Sequence, residues 1–200
     1  MGKIEKNKQQ KFENLLNSAQ ELFLSKGVEE TSISDITNNA NVAKGTFYLY
    51  FRDKTAIRDY LVILWSRRLF SAAHQELQHH REITGFEDKI IFIIDHIVLE
   101  LSKNKPLQRF IAKNLSWGLF KHLLNNDVLE ERISGREIFE SVVQDCGVTV
   151  KNPEIMAFII VEMTNSTTYS AIMENAPIPL EQLLPHLNEA IRSIIRTHLH

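Results

Sequence analysis

A short stretch near the N-terminus places cations, hydroxyl groups and a glycine at the start of two predicted helices. Lys44, Gly45 and Thr46 open one of them, and Lys54 lies in the first turn of the next. The first turn of a helix has unpaired backbone N–H groups and the positive end of the helix dipole, so it attracts anions. Tyr48 follows one turn after Lys44, and its hydroxyl can donate a hydrogen bond. We therefore expect this stretch to contact phosphate groups.

The elements that position these side chains are predicted from the pattern of residues 31–54. Ser32 and Asp35 have the spacing of a capping box, which predicts the start of a helix. Asn41 is expected to form the turn after that helix, because asparagine tolerates the left-handed backbone that a sharp corner needs. The pattern therefore predicts two short helices that are joined by a tight turn.

The second of these helices, residues 44–50, is too short to be stable alone. We expect Phe47 and Phe51 to anchor it in a core that is completed by an earlier helix over residues 8–26. Gly27 is predicted to end that earlier helix. Two helices joined in this way form a helix-turn-helix, whose second helix lies in the DNA major groove.

Residues 8–60 resemble the DNA-binding signature of the TetR/AcrR family of transcriptional regulators. The matching residues are Gly27, Thr31, Asp35, Ile36, Ala40, Val42, Lys44, Gly45, Thr46, Tyr48, Tyr50, Phe51 and Lys54. The DNA-contacting residues predicted from position and resemblance together are Thr31, Ser32, Lys44, Gly45, Thr46, Tyr48, Tyr50 and Lys54. The resemblance implies a three-helix helix-turn-helix DNA-binding domain, set at residues 1–54, and a helical effector-binding and dimerisation domain over residues 55–200.

The resemblance also implies three partners: double-stranded operator DNA, a second copy of the chain and a small-molecule effector. It favours a repressor that a small apolar or amphipathic effector releases from its operator, while activation stays open. Members of the family usually dimerise through their last two helices, and an apolar stripe near the C-terminus fits that arrangement. The predicted interface residues are Ile159, Leu187, Ile191, Ile194 and Ile195.

The composition excludes some classes of protein and leaves DNA binding to the motif. The formal net charge is -2, so a nucleic-acid partner cannot be argued from the total. Residues 1–54 carry eight Lys and Arg against seven Asp and Glu, a weak excess of the sign that suits DNA. The single cysteine excludes an internal disulfide and a cysteine-based metal site. No segment has the pattern of a signal peptide or a membrane span, so we expect a cytoplasmic protein without a membrane partner.

Beyond the motif the pattern is helical throughout, which predicts an all-α fold. The expected helices cover residues 54–80, 86–103, 107–124, 127–145, 153–175 and a last segment to residue 199. Asn152 is expected to cap the helix that Pro153 begins, and Pro185 marks either the start of the last helix or a kink near it. Residues 86–103 are apolar nearly all round, which predicts a helix at the centre of the second domain.

Asp95 and His96 interrupt this apolar helix, and a buried charge is costly without a partner. They are either core residues paired with other protein groups or polar anchors of a ligand pocket, which is otherwise mostly apolar. The candidate pocket residues are Phe92, Asp95, His96, Phe110, Trp117, Phe120, Glu162 and Tyr169. The aromatic rings favour a planar or partly aromatic effector, and the acidic residues would favour a cationic one.

Two other classes of function are open. A DNA-binding protein without an effector would have a solid C-terminal core. A helical-bundle enzyme would need a metal or a second polar constellation. The spacing of Glu76 and His79 occurs once where di-iron bundles need two copies and further glutamates. No catalytic triad, phosphate-binding loop or zinc spacing is present, so we expect neither an enzyme nor a cofactor or metal.

Overall fold

The computed structural model of the chain describes residues 2–125 and 134–199. Within these ranges ten α-helices follow one another. They are α1 (Lys3–Ser25), α2 (Ile33–Asn39), α3 (Lys44–Tyr48), α4 (Lys54–Leu77), α5 (Phe86–Ser102), α6 (Lys105–Asn114), α7 (Trp117–Asn125), α8 (Gly135–Cys146), α9 (Pro153–Glu174) and α10 (Leu180–His198). The only strand-like pairing in the described ranges is an isolated antiparallel bridge between Val150 and Leu199. The predicted all-α fold is therefore confirmed.

The corner between α2 and α3 forms as the local sequence predicts. The Ser32 hydroxyl accepts a hydrogen bond from the Asp35 N–H at 3.0 Å, and the Asp35 carboxylate accepts one from the Ser32 N–H at 2.9 Å. Asn41 has a φ of 53°, in the left-handed region. Gly27, at a φ of 92°, turns the chain after α1 in a conformation that side chains rarely tolerate.

Two apolar cores run along the molecule, and α4 takes part in both. The first joins α1, α2 and α3 to the N-terminal half of α4, and it also contains residues of α5 and α6. Phe23 of α1 stacks on Phe110 of α6 with their ring centroids 6.0 Å apart. The second core joins the C-terminal half of α4 to α5, α8, α9 and α10. Because the first core extends to α6, packing continues across residue 54, and the domain boundary stays a prediction.

The C-terminal helices differ from the predicted ones in three ways. The single helix expected over residues 107–124 is two, because Leu115 has an extended backbone and the Ser116 hydroxyl accepts from the N–H of Leu119, at 3.3 Å, in α7. The helix expected over residues 127–145 is described from Gly135 onward, and its earlier part lies outside the described residues.

The third difference concerns helix starts. Asn152 is at the N-cap position and Pro153 begins α9, as predicted, but Asn152 has a φ of 47° and its side chain makes no cap bond. The last helix begins at Leu180, which places Pro185 inside it.

Helix α5 lies between α4, α6, α8 and α10, at the centre that its apolar sequence predicts. Its burial is incomplete, since the side chain of Leu99 is 44% exposed. Among the described residues, no helix is both long and apolar enough to cross a membrane.

Candidate DNA interface and effector cavity

Packing of aromatic rings fixes the short helix α3 against the rest of the N-terminal module. Phe47 is fully buried, and Phe51 stacks on Phe12 of α1 at 5.6 Å between ring centroids. These anchors leave Tyr48 and Leu49 facing outward, with 52% and 79% of their side chains exposed. One face of α3 is thereby held rigidly while the opposite face is open to a partner.

The start of α3 combines exposure with room for a close approach. Lys44 and Gly45 are exposed, and Thr46 is half-buried. No heavy atom of the described residues lies within 4 Å of the position that a Cβ would occupy at Gly45. Packing within the chain therefore does not require glycine here, whereas an approaching phosphate would gain from the unobstructed backbone.

Three of the predicted DNA-contacting side chains use their polar groups inside the chain. The buried Thr31 donates its hydroxyl to the Gly27 carbonyl at 2.7 Å. The hydroxyl of Tyr50 donates to the Lys8 carbonyl at 2.9 Å, and the Lys54 ammonium donates to the Val28 carbonyl at 2.7 Å. Thr31 is the most buried of the three, and its contact with DNA stays a prediction.

Lys54 bonds a second carbonyl as well, that of Glu29, at 3.3 Å. It thus joins the start of α4 to the loop that follows α1.

Ser32 is exposed and keeps its hydroxyl as the cap of α2. The Ser32 N–H, followed by the Lys26 ammonium 2.9 Å from the carboxylate, lowers the pKa of Asp35 to about 2. The carboxylate therefore stays ionised, and it neutralises one cation beside the candidate interface.

Arg52 is a candidate that sequence reasoning missed. It follows α3 with 82% of its side chain exposed, and its guanidinium lies 3.1 Å from the carboxylate of Asp53. The Asp53 carboxylate also caps α4, because it accepts a hydrogen bond from the Ala56 N–H at 2.8 Å. The sequence feature that could have identified Arg52 is its position directly before Asp53, the cap of α4, and just after α3.

A cavity of about 100 Å³ lies in the C-terminal part of the molecule, between α4, α5, α6, α7 and α9. Its walls are mostly apolar. The lining residues are Ser66, Leu69, Phe70, Ile94, Ile97, Val98, Leu101, Gln108, Ile111, Leu115, Phe120, Ile160, Val161, Thr164, Asn165 and Thr168. The polar members come from α4, α6 and α9.

Of the eight residues predicted for an effector pocket, Phe120 alone lines this cavity. Asp95 instead accepts a hydrogen bond from the Asn188 side chain of α10 at 2.9 Å, and its burial raises the pKa of its carboxyl group. Glu162 is exposed on the outer side of α9. The interpretation of Asp95 as a core residue with a protein partner is the one that fits.

The other predicted pocket residues also have neighbours outside the cavity. Phe92 and His96 contact each other at 6.2 Å between centroids, and Phe110 stacks on α1. Trp117 packs edge-on against Phe158, and Tyr169 is half-buried on α9. The signal for the observed site was the run of small polar residues in α9, because Thr164, Asn165 and Thr168 all face the cavity.

The predicted dimer residues separate into two groups. Leu187, Ile191 and Ile195 are at most 4% exposed, since they pack in the second core of the same chain. They are therefore covered within the chain, which removes the reason for predicting them as interface residues, and their place in a dimer stays a prediction. Ile194 is half-buried, and Ile159 is 40% exposed on α9.

The N-terminal geometry is that of a known domain. Residues 15–61 match the family model of bacterial regulatory proteins, tetR family. The N-terminal module is that of the TetR family. This regulator is 49% identical over 47 residues to the uncharacterised HTH-type transcriptional regulator YvdT of Bacillus subtilis, a match that spans 24% of either chain. It is a DNA-binding transcriptional regulator.

The likeness to TetR-family proteins extends over the C-terminal helices as well. An uncharacterised HTH-type regulator in the lacX 3' region of Lactococcus lactis is 28% identical, over 72% of this chain and 90% of that one. The crystal structure of a TetR transcriptional regulator from Rhodococcus sp. RHA1 matches with a TM-score of 0.66 and 13% identity, over 94% of this chain and 97% of that one. At that identity the likeness shows a shared fold.

Proposed function

We propose that this TetR-family regulator is a homodimeric repressor that leaves its operator when a small, largely apolar molecule enters the cavity. The observation that carries the proposal is the continuity of the cavity walls with the DNA-binding module. Ser66, Leu69 and Phe70 line the cavity from α4, whose first residue, Lys54, is bonded to the loop after α1. One rigid helix therefore connects the two sites.

A second connection runs through α6. Gln108 and Ile111 line the cavity, while Phe110, between them in sequence, stacks on Phe23 of α1. An effector that displaces α6 or α4 would change the orientation of α1, which packs on α2 and contacts Phe51 just after the recognition helix. The free energy of coupling equals the difference in effector affinity between the two arrangements.

The dimer is proposed to form through the outer face of α9. Ile155 and Ile159 are 53% and 40% exposed there, and Glu162 and Ser166 continue the same face. Large apolar side chains exposed on one helix are typical of an interface. Two recognition helices are needed because one presents too few contacts for operator specificity, and they must lie about one DNA turn apart.

Selection from a random-sequence duplex library tests the proposal. We expect an inverted repeat whose half-sites are separated by about one helical turn, 10–10.5 base pairs, or a multiple of it. Lys44→Ala should then lower the slope of log affinity against log salt by about 0.9 for each phosphate that is no longer neutralised. Glu30→Ala, on the loop after α1, is the surface control. A selected site without two half-sites would contradict the dimeric repressor.

The alternative of a DNA-binding protein with no effector is less well supported, because a solid C-terminal core was its requirement. The cavity at the junction of five helices does not fit that requirement.

A further inference from the structure

Three polar atoms in the cavity walls make no hydrogen bond to another group of the described residues. They are the Ser66 hydroxyl on α4, the Gln108 carboxamide oxygen on α6 and the Thr164 hydroxyl on α9. Ser66 and Gln108 are 4% and 1% exposed, so bulk water does not compensate them. Leaving such a buried polar group unpaired is unfavourable. A molecule in the cavity that offers a matching polar group would recover part of that cost.

The same walls have no ionisable side chain within the part of the chain that the structure describes. Asp, Glu, Lys, Arg and His are absent from the lining residues. Five lining residues are polar and uncharged, namely the three above, Asn165 and Thr168, and all the others are aliphatic or aromatic. The buried Arg67 neighbours Ser66 in sequence but does not line the cavity. Transfer of an unpaired charge into surroundings of this kind is strongly unfavourable. The lining therefore selects against both carboxylates and amines.

We propose that the cavity binds a neutral, mostly apolar molecule with one hydroxyl or amide N–H group, which donates to the Gln108 oxygen. A hydroxyl compound is favoured, since its oxygen also accepts from Ser66 or Thr164. An apolar cavity of about 150 Å³ is known to hold benzene, so a cavity of about 100 Å³ accommodates about one ring or a short alkyl chain between its walls. This inference rests on the proposed function and specifies its effector class.

Four compounds with one shared ring skeleton test the class: benzyl alcohol, toluene, benzoate and benzylammonium. Their affinity for the full chain is measured at pH 7 by titration calorimetry and by the shift in melting temperature. We expect benzyl alcohol to bind tightest, toluene about two- to tenfold more weakly for want of one hydrogen bond, and the two ions not at all. Binding of benzoate or benzylammonium tighter than benzyl alcohol overturns the proposal, as does binding by none of the four.

Two near-isosteric variants test which side chains bind the hydroxyl group of the ligand. Gln108→Leu is expected to remove the difference between benzyl alcohol and toluene, and Thr164→Val is expected to reduce it. Gln78→Leu, at the exposed end of α4, is the matched control and should leave the difference unchanged. If Gln108→Leu and Thr164→Val both keep the full preference for the alcohol, these residues do not bind the hydroxyl and the proposal is wrong.

Operator affinity measured in the same samples separates this inference from the proposed function. Binding of benzyl alcohol without loss of operator affinity would support the cavity chemistry and contradict the ligand-controlled repressor. Release of the operator by benzoate or benzylammonium would support the repressor and contradict the neutral class.

Discussion

Lys44 and Lys54 both belong to the predicted DNA interface, yet their surroundings give them different roles. Lys44 is exposed at the start of α3, whereas the Lys54 ammonium already bonds the carbonyls of Val28 and Glu29. An exposed lysine can neutralise a phosphate at little cost. One that holds two carbonyls has a structural role in addition to any contact with DNA.

Lys54→Met is expected to lower the free energy of unfolding by about 1–2 kcal/mol, because the part-buried Val28 carbonyl loses its charged donor. Urea unfolding of the full chain measures this change. Lys44→Met is the matched control and should leave the stability within about 0.5 kcal/mol of the unaltered chain. Equal stability of the two variants would show that Lys54 has no structural role.

Asp95 gives a second prediction for a single residue, because burial raises the pKa of its carboxyl group. A carboxyl group whose folded pKa lies above its unfolded value stabilises the fold fully below the unfolded value, and that contribution is lost as pH rises through the folded pKa. Ionised Asp95 is therefore unfavourable at pH 7. Asp95→Asn should melt no lower than the unaltered chain at pH 7, and its advantage should vanish in acid.

Asn188→Leu is the reciprocal test of the Asp95 contact. It removes the donor 2.9 Å from the carboxylate, so the variant should be less stable at pH 7 and recover as the pH falls. Melting curves between about pH 3 and 8 measure both variants, a range that spans the ordinary carboxyl pKa and neutrality. A loss of stability in Asp95→Asn at pH 7 would contradict the interpretation.

At the scale of single helices, α2 depends on its capping box. Ser32→Ala should lower the free energy of unfolding by about 1 kcal/mol, because the N–H of Asp35 loses its acceptor. Ser34→Ala, also exposed at the start of α2, is the control and should change little.

The same capping box predicts that the N-terminal module loses stability in acid. The pKa of Asp35 is lowered from 3.8 to about 2, so its stabilising contribution is present above 3.8 and is lost as the pH falls toward about 2. Asp35→Asn should flatten that part of the stability curve. An unchanged curve would show that the carboxylate is not coupled to folding.

For the whole molecule, the question is which apolar face a second copy covers. Ile155→Glu with Ile159→Glu should give a folded monomer with weakened operator binding, because both side chains are exposed on α9. Ile191→Glu should instead prevent folding, since Ile191 is fully buried in the second core. Leu49→Glu, on the exposed face of the DNA-binding module, is the control that leaves the oligomeric state unchanged.

Sedimentation and circular dichroism together distinguish these outcomes. A double variant that remains dimeric would place the interface on another face. A folded Ile191→Glu chain would contradict the observed packing of α10.

The sequence by itself determined the features whose causes lie within about four residues. The Ser32 capping box, the left-handed Asn41 and the glycine after α1 are all observed as predicted, since each depends on hydrogen bonds to near neighbours or on the φ that one residue allows. The helix-turn-helix was predictable for the same reason, because its signature is a continuous run of such positions.

Only the tertiary structure decided what each exposed or apolar group meets. The stripe of α10 packs on its own chain because α5 and α9 cover it, and spacing along one helix cannot say which helix will do so. Lys54 and Asp95 found protein partners 26 and 93 residues away in sequence. The cavity arises where five helices fail to fill the space between them, and that volume depends on their relative positions, which no single helix specifies.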